Sequence, residues 1–223
     1  MCGRFALSAP VDTIRRHFHV REEVDLQPRY NIAPGQQVSV VRSGISGSEL
    51  AMLRWGLIPF WARDTRIGYR LINARAETLE EKPSFRSSFK KYRCLIPADG
   101  FYEWKEIPGR KTRLPYFIRL HDGGLFAMAG LWSTWHDKTT GEVIETCTII
   151  TTESNIPLAE IHNRMPVILR PGQYGPWLKT QTDTNNLKKM FKPFDAKKLS
   201  FHPVSGLCNS PKNNSPECLK EII

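Results

Sequence analysis

The chain has 223 residues, of which 40% are hydrophobic and 24% charged, enough to bury a full core in one large domain without disulfide or metal staples. Lys and Arg total 32 against 22 Asp and Glu, a net charge of +10. That field attracts polyanions, although charge alone leaves a nucleic-acid partner and a merely basic protein equally open. No apolar run reaches membrane-spanning length, and MCGRFALSAP lacks the charged-then-apolar pattern of a secretory signal. A cytoplasmic protein is therefore expected. The five cysteines, Cys2, Cys94, Cys147, Cys208 and Cys218, are odd in number and lack CxxC spacing, which argues against a disulfide framework or a zinc cage.

In chain order, Val11, Ile14 and Phe18 predict a short helix over residues 10–19. Strands are predicted over 37–42, 51–57, 93–98, 114–120, 125–132 and 143–152. The period-two alternation is clearest where Leu114, Tyr116, Ile118 and Leu120 interleave with Pro115, Phe117 and Arg119. Asp-Gly pairs at 99–100 and 122–123 mark turns. A helix over 156–162 is capped by Ser154 or Asn155 with Pro157 in its first turn, and another covers 185–191. Strands dominate, so the fold class is α+β with a curved, barrel-like mixed or antiparallel core and short peripheral helices. Residues 1–205 read as the domain proper. From Gly206 the chain turns rich in Asn, Ser, Pro and Lys, and is expected to be an extension that is less ordered.

Cys2 directly follows the initiator Met, and Met is removed before small residues. A free N-terminal cysteine carries an amine and a thiol on adjacent carbons. With an α-amine pKa of roughly 7.7–8.0, part of the amine is nucleophilic at neutral pH. The amine forms an imine with an aldehyde, and the thiol then adds to the same carbon to close a thiazolidine. While Met1 remains, the Cys2 nitrogen is an amide and cannot attack. A cysteine at this position also arises by chance.

Four other segments carry chemistry, and each has a purely structural alternative. In ADGFYEW at 98–104, Glu103 sits among Phe101, Tyr102 and Trp104. Desolvation there would raise its pKa and suit it to proton transfer; it reads equally as an outward residue on a strand. In IHNRMPVIL at 161–169, His162 closes the predicted helix, whose negative end would favour imidazolium and hence a proton donor, or a plain cap. Arg164 follows within reach of a phosphate. LINARAETL at 71–79 offers Asn73 and Arg75 for polar contacts, or a strand end with a surface arginine. In LRWGLIPFWARD at 53–64, Trp55 reads as core, and Phe60 or Trp61 at a loop tip as a surface on which bases stack. Lys188, Lys189, Lys192, Lys197 and Lys198 form a basic cluster, first a solvated face and second a nucleic-acid contact.

Together these segments resemble the SOS-response-associated peptidase (SRAP) family. The match runs in order through MCGRF at 1–5, YNIAPGQ at 30–36, WGLIPFWA at 55–62, INARAET at 72–78 and FRSSFKKYRCLIPADGFYEWK at 85–105. It continues through LPYFIRL at 114–120, FAMAGLW at 126–132, CTIITTESN at 147–155, IHNRMPVIL and HPVSGLCNS at 202–210. Cys208 stands where an aliphatic residue is expected. The resemblance implies a single SRAP domain, acting as a monomer without cofactor or metal, with a basic groove for single-stranded DNA and for single-strand/duplex junctions. It implies that Cys2 crosslinks the ring-opened aldehyde of an abasic site in a DNA-damage response, with nucleoid association when bound. Asn73 would orient the terminus, and Glu103 and His162 would move protons. Arg4, Arg75 and Arg164 would hold flanking phosphates, and Phe60, Trp61 and Trp104 would stack on bases. Self-removal of Met1, lyase-like imine chemistry and a peptidase (hydrolase) class go with the family. An N-terminal-cysteine peptidase and a non-covalent DNA reader are the alternatives.

Overall fold

A computed structural model describes residues 2–21, 25–45 and 47–222. The strands in chain order are β1 (Phe5–Leu7), β2 (Arg29–Ile32), β3 (Gln37–Gly44), β4 (Gly47–Trp55), β5 (Asn73–Arg75), β6 (Arg93–Ala98) and β7 (Gly100–Lys105). They continue with β8 (Leu114–Leu120), β9 (Phe126–His136), β10 (Val143–Glu153), β11 (Arg164–Pro166), β12 (Ile168–Leu169) and β13 (Leu199–Pro203). Five short helices pack around them: α1 (Val11–Phe18), α2 (Pro83–Lys91), α3 (Ile156–Ala159), α4 (Pro171–Leu178) and α5 (Thr184–Lys188). The class is α+β, as expected.

Strands β4, β3, β6, β9 and β10 close into a mixed barrel. All neighbours are antiparallel except β10 and β4, which run parallel with Thr146 opposite Arg54 and Cys147 opposite Trp55. β6 is buried at all six positions because the barrel interior takes one face and packed helices take the other. Cys94 and Cys147 are inert members of this core, as their apolar surroundings predict. A second, antiparallel sheet runs β13-β8-β7-β1-β2.

Strand β10 is longer than the barrel needs. Past Ile149 its two edges are taken over by β5, with Asn73 opposite Ile149, and by β11, with Arg164 opposite Glu153. Residues from distant parts of the sequence therefore meet around its end. The loop leaving β4 turns at Gly56, whose φ is 131°. A side chain there would meet the Gly68 carbonyl at 2.7 Å, so only glycine allows the approach that carries the chain out to Phe60 and Trp61.

Three expectations need correction. The helix predicted over 185–191 ends at Lys188. The helix predicted over 156–162 stops at Ala159. Asn155 caps it, accepting from the Leu158 N–H at 3.1 Å. The chain then leaves through a turn in which the His162 N–H reaches the Leu158 carbonyl, so His162 lies beyond the helix. The tail from Gly206 is not an extended appendage. It forms two 3-10 turns, Gly206–Asn209 and Pro216–Leu219. Cys208 and Cys218 are buried against Tyr102 and Phe117 on the outer face of the second sheet. Its Asn and Ser residues, which read as disorder by composition, bond the edge strand β2: the Asn31 side-chain amide donates to the Ser210 and Asn213 carbonyls at 2.9 and 2.8 Å. The Tyr30 N–H donates to Asn214 Oδ1 at 2.7 Å. The short strands β1, β2, β5 and β13 and helix α2 carry no periodic signal long enough to predict them.

Candidate active site

The backbone pairing of β1 with β7 places Phe5 opposite Phe101, and the Tyr102 N–H bonds the Arg4 carbonyl at 2.9 Å. Continuing that register puts Gly3 opposite Glu103, and Cys2, one residue further, is close enough for the Glu103 carboxylate to act on its thiol. Cys2 is fully buried. Its carbonyl accepts from the Asn73 side-chain amide at 2.8 Å, which ties the start of the chain to β5. The Asn73 Oδ1 is buried and has no hydrogen-bond partner among the described residues, so one polar atom of this amide points into the site with its bonding capacity unused.

Glu103 is 2% exposed, and burial pushes its pKa up to about 7. The rise comes from burial in the fold, and it leaves the carboxyl divided between its two protonation states at neutral pH. The Cys2 thiol is held well above the ordinary thiol range, first by burial and then by the Glu103 carboxylate. In this state the sulfur is a neutral thiol.

His162 differs from expectation. Its pKa is lowered, chiefly by burial and also by positive charges that include Arg113 and Arg164. The ring is a neutral imidazole at neutral pH, because desolvation outweighs any helix-end attraction. Its Nδ1 lies 3.0 Å from the Arg164 backbone nitrogen, and its carbonyl is fixed by the Ser154 hydroxyl at 2.7 Å.

The arginines divide into three kinds. Arg75 is exposed. Arg4 is partly buried, donates to Asn31 Oδ1 at 2.7 Å and to the Cys208 carbonyl, and lies 5.9 Å from the centre of the Trp104 ring. Arg164, expected to face a phosphate, instead makes a two-pronged ion pair with Glu77 at 2.7 and 2.9 Å and donates to the Thr151 carbonyl at 2.6 Å. Phe60 and Trp61 are exposed, 65% and 47%, beside an open cleft that Arg86 also lines. Trp104 is half-buried, its indole N–H on Asn209 Oδ1 at 2.7 Å. Trp55 is core, as expected.

The SOS response associated peptidase model matches residues 1–211. The chain belongs to the SRAP family. It is 47% identical over 224 residues to the abasic site processing protein YoqW of Bacillus subtilis, covering 99% of each chain. Against YoaM of the same organism, also named an abasic site processing protein, identity is 46% over 98% of this chain and 97% of that one. The abasic site processing protein HMCES of Xenopus tropicalis is 31% identical over all of this chain and 79% of its own. A crystal structure of a Bacteroides thetaiotaomicron protein superposes with a TM-score of 0.91 at 31% identity, each chain covered completely.

Within this SRAP chain, sequence reading missed residues that hold the candidate site residues in place. Glu77, Asn31 and Ser154 had no local signal, because their partners Arg164 and Arg4 lie 87 and 27 residues away and Ser154 bonds a carbonyl across a turn.

Proposed function

We propose that this chain processes abasic sites in single-stranded DNA, including at junctions with duplex, by bonding its mature N-terminal Cys2 to the lesion as a monomer without a cofactor. One observation carries the reading: Asn73 fixes the Cys2 carbonyl at 2.8 Å while the thiol lies beside a buried carboxyl whose pKa is about 7. The names of the SRAP relatives support the substrate.

Hydrolysis of the Met1–Cys2 bond consumes one water and frees the α-amine; the family's peptidase description supports self-processing. The amine attacks C1′ of the ring-opened sugar. His162, neutral at the start, takes the proton released and returns it to the departing hydroxyl, so that the carbinolamine loses water and becomes an imine. The Cys2 sulfur then bonds to the same carbon, and the thiol proton passes through Glu103 to the imine nitrogen. One aldehyde and one aminothiol yield one thiazolidine and one water. Reversal begins when Glu103 returns a proton to the ring. An imine left open would permit β-elimination and strand scission, so ring closure shields the lesion.

Arg75 and Arg4 hold flanking phosphates. Arg164 lends charge while Glu77 positions it, and it contacts phosphate only by exchanging that partner. Phe60, Trp61 and Trp104 offer stacking surfaces.

Intact-mass measurement before and after incubation with an abasic single-stranded oligonucleotide tests the proposal. The expected result is a chain lacking Met1 and an adduct of protein plus oligonucleotide minus one water. Cys2→Ala should form no stable adduct. A processed chain that leaves the oligonucleotide unattached, or a Cys2→Ala chain that bonds it as well, overturns the reading.

A further inference from the structure

At the other end of the second sheet lies a groove of about 710 Å³ that the chemistry above does not use. Leu120, which lines it, is four residues along β8 from Tyr116, the cross-strand partner of Glu103. At about 3.3 Å per residue this puts the groove about 13 Å from Glu103 along the strand. Its floor is apolar: Leu125, Phe126, Leu169 and Tyr174 are buried beneath it and Phe194 is partly buried. Its rim is basic. Arg170, Lys197, Lys198 and His121 are exposed there. The acid on the rim, Asp122, is turned onto the Gly124 N–H at 2.9 Å. Among the described residues no carboxylate pairs with Arg170, Lys197 or Lys198.

We propose that this groove docks an acidic peptide segment of another protein, with a bulky apolar side chain seated on the floor and flanking carboxylates on Arg170, Lys197 and Lys198. The unbalanced positive rim selects an anionic partner. The floor selects a peptide over a nucleic acid. A base needs an open aromatic face, but the Tyr174 ring is stacked on Phe18, with centroids 5.4 Å apart at 25°, and Phe126 is 2% exposed. The open aromatic faces lie elsewhere, at Phe60 and Trp61. An aliphatic or aromatic anchor with acidic neighbours uses both halves of the groove, as acidic-motif recognition by basic clusters does. The inference stands independently of the crosslinking chemistry.

Fluorescence anisotropy on the full chain tests it, with a labelled ten-residue peptide of alternating Asp and Glu ending in Leu-Phe. Controls are the same peptide ending in Ala-Ala, one with Lys replacing every acid, and a labelled lesion-free ten-nucleotide single strand. Saturable binding is expected for the first peptide only, weakened at least tenfold by Lys197→Glu/Lys198→Glu and at least fivefold by the Ala-Ala ending. The side chains changed are exposed, so the variant should keep the wild-type melting temperature. No saturation up to 1 mM, binding unmoved by charge reversal, or competition by the lesion-free strand that is lost in the same variant would each overturn the proposal, the last by assigning the groove to DNA.

Discussion

The Arg164 guanidinium grips both Glu77 oxygens and, through one nitrogen, the Thr151 carbonyl. It thereby straps β11 and the segment after β5 across the end of β10. Asn73 begins β5 and His162 lies just before β11, so the ion pair fixes the spacing between His162 and the amide that holds the Cys2 carbonyl.

This strap predicts a particular pattern of loss. Glu77→Gln removes the charge from a partly buried pair, which should cost about 1–2 kcal/mol and lower Tm by several degrees. The crosslinking rate should fall several-fold. Arg164→Lys should not restore it, because an ammonium cannot span two carboxylate oxygens in a fixed plane. Thermal melts and single-turnover crosslinking gels check both. A Glu77→Gln chain with wild-type Tm and rate would show the strap to be decorative.

Glu103 should make stability depend on pH in a defined direction. A carboxyl whose pKa is raised by folding to about 7 favours the protonated form. Its contribution is fully present below the unfolded value near 4.5 and is lost as pH rises through 7. Glu103→Gln does not titrate. The wild type should therefore lose stability relative to Glu103→Gln between about pH 5 and 8, by at most about 3 kcal/mol. Crosslink closure and reversal should both slow in the variant. Parallel Tm curves for the two chains across that window would contradict the assignment.

Asn31 is 2% exposed and joins the active-site arginine to the tail, accepting from Arg4 and donating to Ser210 and Asn213. Asn31→Ala should leave two tail carbonyls and the Arg4 guanidinium short of a partner, at a cost of about 2–3 kcal/mol. Limited proteolysis should then cut within residues 206–222 before any other site. Equal resistance in both chains would mean that the tail is held by its other contacts, among them Tyr30 on Asn214, Trp104 on Asn209 and the packing of Cys208 and Cys218.

The phosphate grip is electrostatic and so should follow salt. With about 3–5 phosphates neutralised on a single strand, log Kd against log salt should have a slope of roughly 2 to 3.5 in magnitude. The Cys2→Ala chain isolates this encounter from bonding. Arg75→Ala in that background should lower the magnitude by about 0.7, because one phosphate fewer is neutralised. An unchanged slope would mean that Arg75 holds no phosphate.

Much of this was legible locally. The limits of β8 follow from alternation, and the ends of β6 and β8 from the Asp-Gly turns that come after them. For Glu103 the local sequence left a raised pKa and an outward strand position both open, and burial in the fold decided for the first. The exposure of Phe60 and Trp61 follows from a loop built on glycine and proline. His162 misled, because local sequence suggested a helix-end imidazolium whereas burial produces a neutral ring. The tail misled because polar composition suggests a lack of contacts, although its Asn and Ser residues satisfy an edge strand.

The order of residues alone determined the α+β class through local periodicity, the family through motifs spread along the chain, and the placing of Cys2 directly after Met1. Only tertiary structure decided which side chains surround that cysteine and which arginines keep their charge for a ligand. The end of β10 brings β5 and β11 together, and the Asn73 bond to the Cys2 carbonyl joins the start of the chain to them. Burial and pairing then set each group's protonation and freedom, and neither quantity exists until distant segments have met.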